Sequence, residues 1–164
     1  DSWIKVAAGE MEGYLKVQSS VMLSKAEEAA AVADAFVAEQ SNLSTREQLV
    51  NYALQFVGGR YKFGGSDPHT GVDCSGFTKY VMQHGAGVSL NRSSTSQSKQ
   101  GTAISADQMQ PGDLIFYGSG RGINHVAMYI GNGKIVHASN RKTGIKISPR
   151  ANYRRIVCVR RVVE

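Results

Sequence analysis

One cysteine and two histidines are the residues whose types and spacing predict covalent chemistry in this chain. Cys74 stands in the run Asp73 to Phe77, where a glycine-rich loop gives way to a predicted helix. The positive end of a helix dipole and its unpaired amides favour a thiolate, and the same amides can bind an oxyanion. A lone cysteine is more commonly buried and inert, so Cys74 by itself leaves both interpretations open.

A cysteine nucleophile also needs a general base and a residue that orients this base. His125 opens one predicted strand, and His137 lies late in the next. An Ile130–Lys134 pair around a three-residue loop would place both imidazoles on one face of the hairpin, since strand faces alternate. A two-residue turn without a bulge would separate them. We therefore expect Cys74, His125 and His137 to form a nucleophilic site, the alternative being a structural histidine at each position.

The elements that must position these residues are helices first and strands afterwards. Apolar residues at helical spacing follow Ser44 and end at Gly58, and the helix that starts near Cys74 continues to His84. After Pro111 the pattern changes to strands. Helices followed by an antiparallel meander indicate an α+β fold with a sheet of about five strands. The strands are predicted at residues 113–117, 125–130, 134–139, 144–148 and 153–163.

The first 43 residues have a different pattern. Residues 1–23 contain short alternating strand patterns around glycines, and residues 24–43 contain an Ala- and Glu-rich helix. A segment of this size cannot bury a core alone. We interpret residues 1–23 as the remnant of an upstream β domain or as an N-terminal hairpin, residues 24–43 as a linker helix, and residues 44–164 as the catalytic domain.

The composition excludes several classes of protein. Hydrophobic residues make up 41% and charged residues 20%, as in folded rather than disordered chains, and no stretch is long and apolar enough to span a membrane. The two cysteines, Cys74 and Cys158, are too few for a disulfide scaffold and form no CxxC pair. We expect both to be free, with Cys158 in the core. The net charge of +6 favours anionic partners, but the basic residues lack the interleaved aromatics typical of nucleic-acid binding.

Residues 44–164 resemble the NlpC-type family of cell-wall cysteine peptidases. The resemblance implies a papain-like fold, in which N-terminal helices pack on the antiparallel sheet and one of them carries the nucleophile at its start. Six segments match the family's motifs in the family's order. They are Tyr61 to Gly65, Asp73 to Phe77, Arg92 to Gln97, Pro111 to Phe116, Asn124 to Gly131, and His137 with Ala138.

The resemblance also implies a role for each catalytic residue. Cys74 would be the nucleophile, His125 the general base, and His137 the polar residue that orients His125. Tyr61 would help to form the oxyanion site or position the scissile group. These roles need neither a metal ion nor another cofactor, although a zinc site formed by the cysteine and the two histidines is an alternative.

A second group of matching residues is implied to bind substrate. Asp73 and Ser75 would hold the amine of a stem peptide that has a free N-terminus, and Asp73 is also placed to cap the helix. Arg92 would meet a substrate carboxylate as a bidentate donor, with an exposed loop arginine as the alternative. Ser93, in the same motif, is assigned to substrate binding with it.

The implied activity is that of a peptidoglycan hydrolase. It would cleave stem peptides between D-glutamate, through its γ-carboxyl, and the following diamino acid. The alternatives are a Cys-His acyltransferase or amidase of the same fold, and a non-catalytic wall-binding module. We expect a secreted or wall-associated monomer that is attracted to anionic wall polymers and does not bind nucleic acid. Because residues 1–23 resemble the closing strands of a bacterial Src-homology-3-like domain, we also expect a trimmed or processed chain.

Overall fold

The computed structural model describes residues 2–8, 11–17 and 44–164. The chain divides into two units, residues 1–44 and 45–164. In the first unit, strand β1 (Ser2–Ala8) pairs antiparallel with strand β2 (Met11–Val17). The predicted linker helix lies outside the described residues, so the proposed domain boundaries stay predictions.

The helices of the second unit come before the large sheet. They are α1 (Thr45–Leu54), α2 (Cys74–Ala86) and the short α3 (Ser94–Gln97). Two short strands, β3 (Ser66–Asp67) and β4 (Gly71–Val72), pair antiparallel in the loop before α2. The nucleophile candidate is therefore the first residue of α2, as the sequence predicted.

Six antiparallel strands form the sheet, in the order β5-β10-β6-β7-β8-β9. This confirms the α+β class, with one strand more than expected. The additional strand, β5, pairs with β10 at the sheet edge and is largely exposed, so no alternating apolar pattern marks it in the sequence. The strands are β5 (Thr102–Ile104), β6 (Leu114–Ser119), β7 (Gly122–Gly131), β8 (Lys134–Asn140), β9 (Gly144–Ser148) and β10 (Ile156–Arg161).

The main core lies between the helices and one face of the sheet. Alternate strand residues form a smaller cluster on the other face, because successive side chains of a strand point in opposite directions. Each fully buried aliphatic or aromatic side chain contributes about 1.5–3 kcal/mol. The main core contains, among others, Leu49 of α1, Phe77, Val81 and Met82 of α2, and Phe116, Val126, Met128 and Val136 of the sheet.

The turn between β7 and β8 decides whether the two histidines share a face. Asn132 and Gly133 have φ angles of 54° and 75°, as in the two-residue type I′ turns that suit hairpins. Gly131 pairs with Lys134, and the register then shifts by one residue at a bulge formed at Ile130. The predicted Ile130–Lys134 pair is therefore wrong, but the bulge has the same effect and keeps both imidazoles on one face.

A buried carboxylate connects α1 to the sheet. Asp113 is fully buried just before β6, and its Oδ1 lies 3.3 Å from Nη1 of Arg46 in α1. Its Oδ2 lies 2.9 Å from Nη2 of Arg161 in β10 and accepts a hydrogen bond from the amide of Gln110 at 2.8 Å. Because two arginines share this carboxylate, its loss would leave two charges without their partner.

The Asp113→Ala variant should lose about 3 kcal/mol of unfolding free energy, because Arg46 and Arg161 remain partly buried without an anion. Asp107→Ala is the matched control, since Asp107 is an exposed acidic residue of the 3-10 turn at residues 106–108. Urea denaturation followed by circular dichroism measures both variants. Equal stability of the two would contradict this assignment.

Candidate active site

The loop before α2 packs so closely on the helix that two of its contacts require glycine. A Cβ atom at Gly65 would lie 2.1 Å from the carbonyl oxygen of Gly71. A Cβ atom at Gly76, in the first turn of α2, would lie 2.1 Å from the carbonyl oxygen of Gly65. In both cases the atom in the way belongs to the backbone, so no side-chain rotation could relieve the clash. These glycines allow the loop to hold the start of α2, and with it Cys74.

Asp73 caps this first turn, as the sequence predicted. Its Oδ1 accepts from the amide of Gly76 at 2.8 Å, and its Oδ2 accepts from the amide of Gly64 at 3.0 Å. Both oxygens also accept from Arg92, each at 3.0 Å. Burial raises the pKa of Asp73, but Arg92 and the two amides outweigh burial and leave the pKa below its usual value. The carboxylate is therefore ionised and held in place.

Arg92 has partners within the protein that the sequence did not predict. Besides Asp73, it donates to Ser75 Oγ at 2.9 Å and to the carbonyl oxygen of Gly65 at 3.1 Å. Each of its Nη nitrogens thus has two acceptors, although 38% of the side chain is exposed, as the alternative of an exposed loop arginine expected. It connects the loop to the first turn of α2, and a contact with a substrate carboxylate stays a prediction.

The last residue of the same motif explains why α3 lies against α2. Gln97 is fully buried, and its Oε1 accepts from Thr78 Oγ1 at 2.8 Å. Its Nε2 donates to the carbonyl oxygens of Ser75 and Asn91, each at 2.9 Å. Ser93 caps α3 by accepting from the amide of Ser96 at 3.1 Å. The motif is thus largely a framework for the loop that carries Cys74.

The two histidines hydrogen-bond to each other, as their predicted shared face required. His125 Nε2 lies 2.7 Å from His137 Nδ1, and His137 Nε2 lies 2.8 Å from Ser148 Oγ. Both rings are buried, and they contact the rings of Tyr117 and Tyr153. Because Nε2 of His125 is engaged, Nδ1 is the nitrogen that remains for proton transfer. This arrangement fixes the orientation of the His125 ring.

Ser148 is a site residue that the sequence analysis missed. It lies on β9, two residues from Lys146, which pairs with His137 of β8. Side chains two residues apart share a strand face, so Ser148 and His137 are on the same side of the sheet. Once the β8–β9 register is known this position follows, but the sequence alone does not give that register.

Burial makes both imidazoles weak bases. The pKa of His125 is lowered to about 3, mainly by loss of hydration, with contributions from the neighbouring His137 and Arg154. For His137, burial is again the main cause, with Lys146 and Arg154 contributing, and its pKa falls to about 4. Both rings are therefore neutral near pH 7, which is the form that can accept a proton.

The thiol of Cys74 is also neutral in the free protein. Burial raises its pKa and Asp73 raises it further, whereas the amides of Val126, Ser75 and Cys74 itself oppose the rise. The expected thiolate at the helix start is therefore wrong for the resting state, because desolvation outweighs the amides. The Val126 amide also locates the sulfur beside β7, at the residue next to His125.

Tyr61 and the four residues predicted to bind substrate surround Cys74 in one open cleft of about 420 Å³, whereas His125 and His137 are not among its lining residues. Burial raises the pKa of Tyr61, with Cys74 and Asp73 adding to the rise, so its hydroxyl keeps its proton and can donate. The sequence analysis missed Phe63, whose side chain is 77% exposed, and Asn124, which accepts from Arg154. The cleft is lined by Tyr61, Phe63, Gly64, Asp73, Cys74, Ser75, Arg92, Ser93, Ser94 and Asn124.

Cys74 and Cys158 are both free, and Cys158 packs against the main core. Within residues 2–8, 11–17 and 44–164, no group of three or more His, Cys, Asp or Glu side chains is arranged to hold a metal ion. In the same described ranges no helix has the length and hydropathy to cross a membrane. The cleft contains the Cys74 thiol, and its lining residue Asn124 directly precedes His125 of the imidazole pair on β7.

Cysteine peptidases of papain-like fold are the class that combines such a sheet and helix with this thiol and these imidazoles. Comparison with protein families narrows the class. The NlpC/P60 family matches residues 58–161, which is more than half of the chain. The chain belongs to the NlpC/P60 family, and the family resemblance found in the sequence is confirmed.

Individual relatives agree with this membership. A probable endopeptidase p60 of Listeria innocua is 45% identical over 98 residues, which cover 60% of this chain and 20% of that protein. A gamma-D-glutamyl-L-lysine dipeptidyl-peptidase of Bacillus cereus is 34% identical over 119 residues, which cover 70% of this chain and 35% of that protein. The crystal structure of the NlpC/p60 domain of the peptidoglycan hydrolase SagA matches with a TM-score of 0.65 and 33% identity, covering 71% of this chain and 98% of that one. This chain thus spans only about a fifth to a third of the two named peptidases.

Alkylation by iodoacetamide tests the protonation state of Cys74. The rate should rise with pH and reach half of its maximum above the usual pKa of a cysteine, because burial disfavours the thiolate. Mass spectrometry of the Cys74 peptide measures the rate, with the Cys158 peptide as an internal comparison. Fast alkylation that stays constant down to about pH 5 would indicate a preformed thiolate–imidazolium pair and contradict this account.

Acid should destabilise the protein through the histidine pair. The pKa of His125 is about 3 in the folded chain and 6.5 when exposed, so below pH 6.5 the unfolded chain binds more protons and stability falls. At about pH 5 the loss is about 2 kcal/mol for His125 alone. Urea denaturation at pH 7 and at about pH 5 should show a smaller loss for His125→Asn than for wild type. The exposed-site control His84→Asn should behave as wild type, and equal losses in all three proteins would refute the prediction.

Proposed function

We propose that this chain hydrolyses the bond between the γ-carboxyl of D-glutamate and the diamino acid of peptidoglycan stem peptides. The observation that carries the proposal is the hydrogen-bonded imidazole pair whose His125 precedes Val126, the residue whose amide lowers the pKa of Cys74 at the start of α2. The family membership supports a wall substrate, and the name of the Bacillus cereus relative supports a γ-D-glutamyl bond. The proposed site of action is outside the cell, at the wall.

Acylation begins with a neutral thiol and a neutral base. As Cys74 Sγ attacks the γ-glutamyl carbonyl carbon, His125 Nδ1 takes the thiol proton. The carbonyl oxygen gains the negative charge, and the amides at the start of α2, with the hydroxyl of Tyr61, stabilise it. The tetrahedral intermediate then breaks its carbon–nitrogen bond while the His125 imidazolium protonates the leaving amine. The acyl group remains on Cys74 as a thioester.

Deacylation uses the same base in the opposite direction. His125 removes a proton from a water molecule, whose oxygen attacks the thioester carbonyl carbon. The intermediate then breaks its carbon–sulfur bond, and the His125 imidazolium returns the proton to the Cys74 sulfur. For Nδ1 to act as the base, the Nε2 hydrogen of His125 must be donated to His137 Nδ1. The Nε2 hydrogen of His137 is then donated to Ser148 Oγ. Ser148 and His137 therefore act as positioning residues that select the tautomer of His125.

The acyl part of the substrate is proposed to lie along the side of the cleft that carries Ser75 and Ser93. Asp73 borders the same side, but its two oxygens already accept from Arg92 and from two amides. Binding a substrate amine there would use the outer edge of the Asp73 carboxylate together with the Ser75 hydroxyl. The leaving diamino acid would then extend past Tyr61.

Purified stem peptides provide the test of this function. Wild type should split them between D-glutamate and the diamino acid, and Cys74→Ala and His125→Ala should each reduce the rate by at least about 1,000-fold. Cys158→Ala is the matched control and should retain wild-type activity, because Cys158 lies outside the cleft. Liquid chromatography with mass spectrometry identifies the fragments.

Two results would favour the alternatives. Products that carry an added amine in place of water would indicate an acyltransferase that uses the same thiol and imidazole. Stem peptides that remain intact with the wild-type protein would contradict the peptidase and favour a wall-binding module.

A further inference from the structure

A second cavity adjoins the cleft at Tyr61. Its volume is about 670 Å³, and Tyr61 lines both this cavity and the cleft that contains Cys74. The walls come from the loop before Tyr61 and from the turn between β8 and β9. Three cationic side chains line it: Arg60 from the loop, and Arg141 and Lys142 from the turn. We call it the basic cavity.

No acidic side chain within residues 44–164 pairs with these three cations. Asp67 contacts the lining residue His69: its Oδ1 is hydrogen-bonded to the amide of His69 at 2.9 Å and to its Nδ1 at 2.8 Å. This carboxylate is thus occupied within its own turn. Three like charges around one cavity repel each other, and an anion from outside would relieve the repulsion.

Backbone hydrogen bonds connect the two walls of the basic cavity. The amide of Gly58 donates to the carbonyl of Ile145, and the amide of Ile145 donates to the carbonyl of Gly59, both at 2.9 Å. A Cβ atom at Gly144 would lie 2.2 Å from the Gly59 oxygen, and the φ angle of Gly144 is 66°, so glycine is required there.

The turn that carries Arg141 and Lys142 is ordered as well. Asn140 Oδ1 accepts from the amide of Lys142 at 2.9 Å and from the amide of Thr143 at 3.0 Å. The backbone that carries the cations is therefore ordered before any ligand arrives, which reduces the entropic cost of binding an anion.

We propose that the basic cavity is a subsite for a carboxylate in the leaving part of the substrate. The inference rests on the proposed function, which leads the leaving diamino acid past Tyr61. Guanidinium groups bind carboxylates with paired hydrogen bonds, and Arg60 and Arg141 offer such groups from opposite walls. The influence of Arg141 on the pKa of Tyr61, which it lowers against the larger effect of burial, agrees with its position beside the cleft.

Two sources can supply this carboxylate, and substrate pairs distinguish them. The first pair is a stem tetrapeptide with a free C-terminal carboxylate and the same peptide with a C-terminal amide. The second pair consists of two stem peptides that differ at the diamino acid. In one, this residue has a carboxylate on its side chain, and in the other it is lysine, which has none. In the pair that differs in the carboxylate bound by the cavity, the wild type should prefer the substrate that has this carboxylate. The expected preference is about tenfold in kcat/KM, mostly through a lower KM. The other pair should show little preference.

The variant Arg141→Gln/Lys142→Gln should lose this preference while it cleaves the uncharged member as fast as wild type, which also shows that the variant is folded. Lys134→Gln/Arg150→Gln removes the same number of charges from exposed positions outside both cavities and should keep the preference. Equal cleavage of both members of both pairs by wild type would overturn the subsite and leave the proposed function standing. No cleavage of any member would overturn the proposed function itself.

Discussion

The contact between the first turn of α2 and its surroundings is the constraint on which the rest of the site depends. Glycines at 65 and 76 let the loop approach the helix to backbone contact, and Asp73 with Arg92 fixes the turn. On the other side, the Val126 amide is close enough to the Cys74 sulfur to lower its pKa. Cys74, the proposed nucleophile, is thus held in position by backbone contacts and by one ion pair.

Burial keeps the Cys74 thiol and both imidazoles neutral in the resting protein. Burial raises the pKa of the thiol and lowers the pKa of both imidazoles, so in the proposed mechanism the charges form only as the sulfur attacks. The amides at the start of α2 would then stabilise the charge of the intermediate more than that of the free enzyme. Interactions that are stronger in the transition state than in the ground state are the ones that accelerate a reaction. The proposed mechanism therefore uses the same helix terminus without a preformed thiolate.

The sequence predicted the fold class, the helix that begins at Cys74 and the shared face of the histidines, because these depend on local periodicity and on motifs. It failed where long-range registers or burial decide the outcome. The bulge at Ile130 and the partner of Ser148 depend on strand registers that no local pattern records. The ion pair of Arg92 joins residues that the chain brings together from 19 positions apart. The protonation of Cys74 depends on whether desolvation of the thiol outweighs its hydrogen bonds from backbone amides, and this balance is set by the folded structure.

Trapping the acyl-enzyme is the measurement that tests the central claim most directly. A stem peptide mixed with wild-type protein, quenched with acid within milliseconds to seconds and digested, should give the peptide that contains Cys74 with the added mass of the γ-glutamyl fragment. The Cys158 peptide from the same digest should be unmodified. Substrate cleavage that proceeds with no adduct on Cys74, and that persists in Cys74→Ala, would contradict the account.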